Sequence, residues 1–181
     1  LQVSTKDTTL RILQLLVALV GSAFVTLCVQ RIASGKLHAL LCFALFLGVF
    51  LRILYFYATP YNVRANDVDG HLEYVHYLSE HHALPPAKGG WQFYQPPLYY
   101  VVSLGTSTVL KNVVPTPVAL QFQSLIFSIA SLVLIALLGL QLFHGERIWT
   151  TLFTLFAATM PGFVFSAARV NNDVLVQFLI V

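Results

Sequence analysis

Four apolar runs, at residues 10–32, 37–58, 118–143 and 148–168, are each long enough to cross a bilayer as a helix, and a fifth begins at residue 174. A hydrocarbon core of about 30 Å takes about 20 apolar residues to span, and it holds no water to satisfy backbone groups left outside a helix or a closed barrel. These runs predict an all-α fold, a polytopic transmembrane helical bundle. Charge supports the same conclusion: only 9% of the residues are charged and the mean hydropathy is +0.77, whereas a soluble domain carries about a quarter charged residues. A water-soluble globule is excluded on that contrast.

The connections between the runs differ sharply in length. A turn containing Ser34, Gly35 and Lys36 joins the first pair, and His144, Gly145, Glu146 and Arg147 join the second, so both pairs read as helical hairpins. Between the hairpins, residues 59–117 form a loop far longer than the few residues usual in compact proteins, and such loops are functional or disordered. Its content of Tyr, Trp, Pro and His favours order. Two expected spans separate this loop from the turn at residues 166–173, so parity sets both on one membrane face. Asp67, Asp69, Glu73, Glu80 and Asp173, five of the seven acidic residues, then gather on that face. The density of Lys and Arg in the two short turns makes those turns cytoplasmic and the long loop external.

Within the loop, Leu72, Val75 and Leu78 recur at three-residue spacing, which predicts a juxtamembrane helix over residues 70–82, ended by Leu84-Pro85-Pro86. Trp91, Phe93 and Tyr94 suit the headgroup level. Gln95-Pro96-Pro97 opens a second short helix reaching Leu110.

Several polar residues around this loop can carry chemistry. Asp67 and Asp69 stand where the chain leaves the second run, and a carboxylate there can take a proton from a hydroxyl or hold a divalent cation. Helix capping is the competing role, with Asp69 the better placed as N-cap. His71, close to Asp67, can bind a phosphate or orient a carboxylate. His71 and His76, five apart, lie well off a common helical face, and the adjacent His81 and His82 point apart, so these histidines read as interfacial polar groups rather than metal ligands. Arg64, Lys88 and Arg169 are cations on the same face that can pair with a phosphate or reach lipid headgroups. Asn171-Asn172-Asp173 offers more polar groups than one helix cap needs, so Asp173 is a candidate second acidic residue facing the loop. Arg52 lies inside the second run, about six residues from its end, where ionisable residues are costly and tend to be functional. Cys28 and Cys42 fall in apolar runs and read as small buried hydrophobes. The net charge of +3 comes from scattered residues, so no nucleic-acid partner is expected.

Taken together, Leu51-Arg52, Thr59-Pro60-Tyr61, the stretch from Asn66-Asp67-Val68-Asp69-Gly70-His71 to Leu72-Glu73-Tyr74-Val75, Leu84-Pro85, Gly90-Trp91, Tyr94-Gln95-Pro96-Pro97-Leu98-Tyr99-Tyr100, Pro161-Gly162 and Asn171-Asn172-Asp173 form an ordered pattern. Over residues 37–181 it resembles bacterial polyprenyl-phosphate-dependent glycosyltransferases of the C-type superfamily, related to protein mannosyltransferases and aminoarabinose transferases. The resemblance implies an N-terminal fragment of one multi-span inner-membrane domain, with two juxtamembrane helices in its external loop. Asp67 matches the catalytic aspartate best, with Asp69 next. Arg64, His71, Lys88, Arg169 and Asp173 are the implied substrate-binding residues. The implied donor is a polyprenyl-phosphate sugar drawn from the lipid bilayer, and the acceptor a hydroxyl of a glycan, lipid or protein. A divalent metal is left open, with no metal ligand set assigned. One departure is the additional run at residues 10–32, which precedes the family's first span. A transporter or channel subunit built around Arg52, or a non-catalytic assembly subunit, is the alternative.

Overall fold

The computed structural model describes residues 5–33, 37–63 and 67–181, and among them the regular structure is entirely helical. Three helices are long and apolar enough to cross a membrane: α1 (Thr5–Ile32), α2 (Ala39–Ala58) and α5 (Thr116–Leu142). They correspond to the first three expected runs, within a few residues at each end. The turn through Ser34, Gly35 and Lys36 lies outside the described residues, as does Arg64.

The loop between α2 and α5 folds into α3 (Val68–His81) and α4 (Leu98–Leu110). Pro97 immediately precedes α4, where its missing N–H would have no helical partner anyway. The three aromatic rings separate in exposure: Trp91 and Tyr94 are exposed, whereas Phe93 is buried edge-on against Tyr74 and Tyr77. Gly89 and Gly90 allow this, since a Cβ on Gly90 would lie 2.9 Å from the Phe93 ring.

The run at 148–168, expected as a fourth continuous span, is two helices, α6 (Arg147–Thr159) and α7 (Pro161–Ser166). Met160 between them is extended, at φ −60° and ψ 120°. The proline ring disfavours helical backbone in the residue before it, and it removes the N–H that would have bonded the Ala157 carbonyl. At about 1.5 Å per residue, the 13 residues of α6 fall short of a hydrocarbon core on their own. The last described element, α8 (Asp173–Ile180), starts the fifth run.

Arg52 repairs the break. Its side chain is 1% exposed, and Nε donates to Ser128 Oγ at 3.0 Å. One terminal nitrogen donates to the Gly48 and Ala158 carbonyls at 2.9 and 3.2 Å, and the other to the Ala157 carbonyl at 3.2 Å. Ala157 and Ala158 lie in the last turn of α6, where carbonyls lack intrahelical donors and the helix dipole is negative. Ser128 passes the bond on, donating to the Phe163 carbonyl of α7 at 3.0 Å. The suspicious cation of the sequence is thus a clamp across α2, α5, α6 and α7. Gly48 makes the clamp reachable, because a Cβ there would fall 2.8 Å from the Ala158 Cβ.

Two apolar clusters result. In the first, Leu41, Leu45 and Val49 of α2 meet Leu132, Ile135 and Ala136 of α5 and Ala157 and Ala158 of α6. The α2 residues recur every fourth position, the stripe that one helical face requires. In the second, Val68, Tyr74, Val75 and Leu78 of α3 pack with Tyr99 and Tyr100 of α4, Leu120 of α5, and Val174 and Leu175 of α8. Gln121 of α5 ties chain ends near the junction, donating to the carbonyls of Thr59 and Ala168 at 2.6 and 3.0 Å. α1 packs chiefly on α2 and leaves Leu13, Leu16, Val20, Phe24 and Leu27 uncovered.

Candidate functional site

Asp67 is the hinge into α3. Its backbone is left-handed, at φ 65° and ψ 9°, a conformation that aspartate adopts more readily than most residues. Its carbonyl accepts the His71 N–H at 3.1 Å, but its carboxylate makes no capping bond and is exposed. Asp69, expected as the N-cap, instead lies inside the first turn. Burial of Val68 in the second cluster explains the earlier start. At 100° per residue, Asp69 points away from His71 and shares the exposed face of Glu73, His76 and Glu80.

One turn on from Asp67, His71 is 2% exposed, with Nδ1 2.9 Å from the Tyr100 hydroxyl. The Tyr100 ring lies at 5.8 Å and the Tyr99 ring at 6.1 Å. Tyr74 stacks on Tyr100 at 3.7 Å, closing the apolar side. Burial pulls the His71 pKa down, and the charges of Asp67 and Asp173 push it partly back. Burial also drives the Tyr100 hydroxyl well above the usual phenol range and the Tyr99 hydroxyl up to about 12. The Tyr99 hydroxyl stands near Ser103, Ser124 and the Asn171 backbone but meets none at hydrogen-bonding geometry.

The depressed His71 pKa makes stability depend on pH. Below the ordinary histidine pKa of about 6.5 the unfolded chain takes up a proton that the folded chain resists, so stability falls as pH drops through that value. Thermal unfolding followed between about pH 7.5 and pH 5 should show the midpoint level above the histidine range and declining below it. His71→Gln should remove that share of the decline; an unchanged slope in the variant would assign it to other groups.

Asp173 approaches from the other end of the chain. It opens α8, its N–H bonds to Asn171 Oδ1 at 3.0 Å, and its Oδ2 accepts from Asn171 Nδ2 at 3.1 Å. Asn172 Nδ2 donates to Gln95 Oε1 at 3.0 Å, and Gln95 Nε2 donates to Gln92 Oε1 at 3.2 Å. A line of amides therefore fastens the 171–173 turn to the loop ahead of α4, and the surplus of polar residues at 171–173 has its physical use. Gln92 and Gln95 carry no charge, and only the compact Tyr94-Gln95-Pro96-Pro97 run marked that segment.

Gly70 lets this line form. A Cβ there would come within 2.6 Å of Gln92 Cγ and 3.3 Å of its Cβ, and Gln92 is buried. Overpacking of this kind costs about 1–3 kcal/mol, against the ~1 kcal/mol that alanine gains over glycine in a helix. Gly70→Ala is therefore expected to lower the thermal midpoint. A higher midpoint would show that Gln92 yields freely.

The implied cations fare differently. Arg169 shares a small cavity with Ser166, Asn171 and Asp173, and its Nε is buried without a hydrogen-bond partner among the described residues. Lys88 is exposed on a turn closed by the Gly89 N–H to the Pro86 carbonyl at 2.8 Å and does not join the cluster. His76 pairs with Glu80 at 3.1 Å and His81 stacks on Tyr77 at 4.1 Å. Among the described residues, no three His, Cys, Asp or Glu side chains converge as a metal would require. The charges of Asp67 and Asp173 thus both act on His71, Asp173 shares its cavity with Arg169, and Asp69 faces the other side of α3. Compared with known proteins, the chain matches no family model, no curated protein and no solved structure.

Proposed function

We propose that the chain belongs to an inverting membrane glycosyltransferase that moves a sugar from a polyprenyl-phosphate donor to an acceptor hydroxyl at the external face of a bacterial inner membrane. The observation that carries this reading is the exposed Asp67 set in left-handed backbone one turn ahead of the buried His71, on which the charges of both Asp67 and Asp173 act from distant parts of the chain. Asp67 takes the acceptor's hydroxyl proton as the oxygen attacks the anomeric carbon. The bond from that carbon to the phosphate oxygen breaks on the opposite side, and its electron pair leaves with the polyprenyl phosphate. The buried, unpartnered Nε of Arg169 is a donor suited to the phosphate. Asp173 and His71 orient the base. A lipid-linked donor would reach such a site sideways from the bilayer, with α3 and α4, which connect two candidate spans, available to hold its phosphate.

The test is direct. The full-length protein in membrane vesicles is supplied with a labelled polyprenyl-phosphate sugar and a hydroxyl acceptor, and Asp67-dependent transfer is measured. Absence of transfer across a panel of sugars, or transfer that ignores Asp67, retires the reading.

A further inference from the structure

The opposite end of the bundle holds a feature that the proposed transfer does not use. Where α1 ends and α2 begins, and where α5 ends and α6 begins, the helix ends line an open cavity of about 860 Å³. Leu37, Leu137 and Leu140 give it an apolar wall, and His38, His144 and Arg147 give it polar and cationic groups.

His38 is the most informative of these. As N-cap of α2, its Nδ1 accepts the Leu41 N–H at 3.4 Å. A neutral imidazole that accepts at Nδ1 carries its proton at Nε2. That Nε2 is buried and has no hydrogen-bond partner among the described residues. A buried donor left unmet costs about 1–3 kcal/mol, so an acceptor oxygen from outside the chain is wanted there.

The surrounding charge selects the acceptor. The positive end of α2 is capped by the neutral His38 and has no acidic residue in its first turn, so it goes without its usual complement, whereas α6 has Glu146 as its N-cap. Arg147 occupies the first position of α6, adding a guanidinium whose fork suits phosphate. Because the cavity lies where three candidate spans terminate, its depth is that of lipid headgroups, and basic cavities between spanning helices bind acidic headgroups.

From this we infer that the helix ends around this cavity form a binding site for an anionic phospholipid headgroup, its phosphate held by Arg147 and His38 Nε2 and its chains beginning along the leucine wall. The full-length protein is released from detergent micelles equilibrated with equal amounts of phosphatidylglycerol and phosphatidylcholine, and retained lipid is weighed by mass spectrometry. Phosphatidylglycerol is expected to be retained about five-fold over phosphatidylcholine, the effect of roughly one interfacial cation. Arg147→Gln should bring the ratio close to one. His38→Asn, which keeps a capping side chain and removes the distal donor, should lower it as well, with helix content by circular dichroism unchanged in both. Equal retention in the parent, or a preference that survives both exchanges, overturns the assignment. Inorganic phosphate is added against chloride of equal ionic strength: an unchanged preference supports the lipid, whereas its loss with phosphate alone makes the site one for free phosphate and overturns the lipid source.

Discussion

Asp67→Asn is expected to lower sugar transfer by about 10²- to 10⁴-fold, the range that a positioned general base contributes. The exchange keeps the side-chain shape and removes only the ability to accept the acceptor's proton. It should leave the fold in place for two reasons. Asparagine accepts left-handed backbone as readily as aspartate, so the φ of 65° is retained. The carboxylate also makes no capping bond to lose. Activity should therefore collapse while helix content and the thermal midpoint hold, a separation that a structural role would not give. Asp69→Asn is the internal control: its side chain faces away from His71, and transfer should stay near the parent rate. If the two variants behave in the reverse order, Asp69 is the base and the His71 cluster is scaffold.

Replacing Arg52 with Leu should cost roughly 2–4 kcal/mol of stability, read as a shift in the unfolding midpoint of the full-length protein titrated with SDS in mixed micelles. The figure follows from its three long-range bonds, to Ser128 and to the Ala157 and Ala158 carbonyls. Interhelical bonds in membranes each contribute about 0.6–1.7 kcal/mol, and buried carbonyls left unmet add their own penalty. A double-mutant cycle with Pro161→Ala sharpens the test. Restoring an N–H at position 161 lets it bond the Ala157 carbonyl within a continued helix, so Arg52→Leu should cost less in that background. Strict additivity would mean that the guanidinium serves α2 and α5 rather than the break.

How much of this was readable beforehand varied with the physics involved. The three long spans were legible because length and hydropathy alone decide them. The split at Met160 was written in Pro161, but an apolar window averages over one proline, and whether a proline kinks or breaks a helix depends on neighbours that can meet the freed carbonyls. Arg52 was visible as an anomaly, yet its partners were not, since backbone carbonyls have no sequence signature. Asp69 was preferred as the cap on local chemistry, and the burial of Val68 moved the start by tertiary packing. Phe93 is buried while Trp91 and Tyr94 stay exposed for the same kind of reason, because Gly89 and Gly90 opened room beside it. Within the candidate site, Asp67, His71 and Asp173 were each singled out from sequence. The tyrosines and glutamines that hold them were missed, being neutral residues whose role exists only in three dimensions.

The broken α6–α7 segment also bears on how the protein is made. A short helix ending in unmet carbonyls is a poor candidate for independent entry into lipid, where each such group costs several kcal/mol. Its donors, Arg52 and Ser128, lie on α2 and α5, both of which leave the ribosome first. The segment can therefore settle against a surface already laid down, and the order of synthesis matches the order of need. Moving the α6–α7 segment ahead of α2 in a permuted gene would strand it without partners, and insertion failure at that one segment would be the visible consequence.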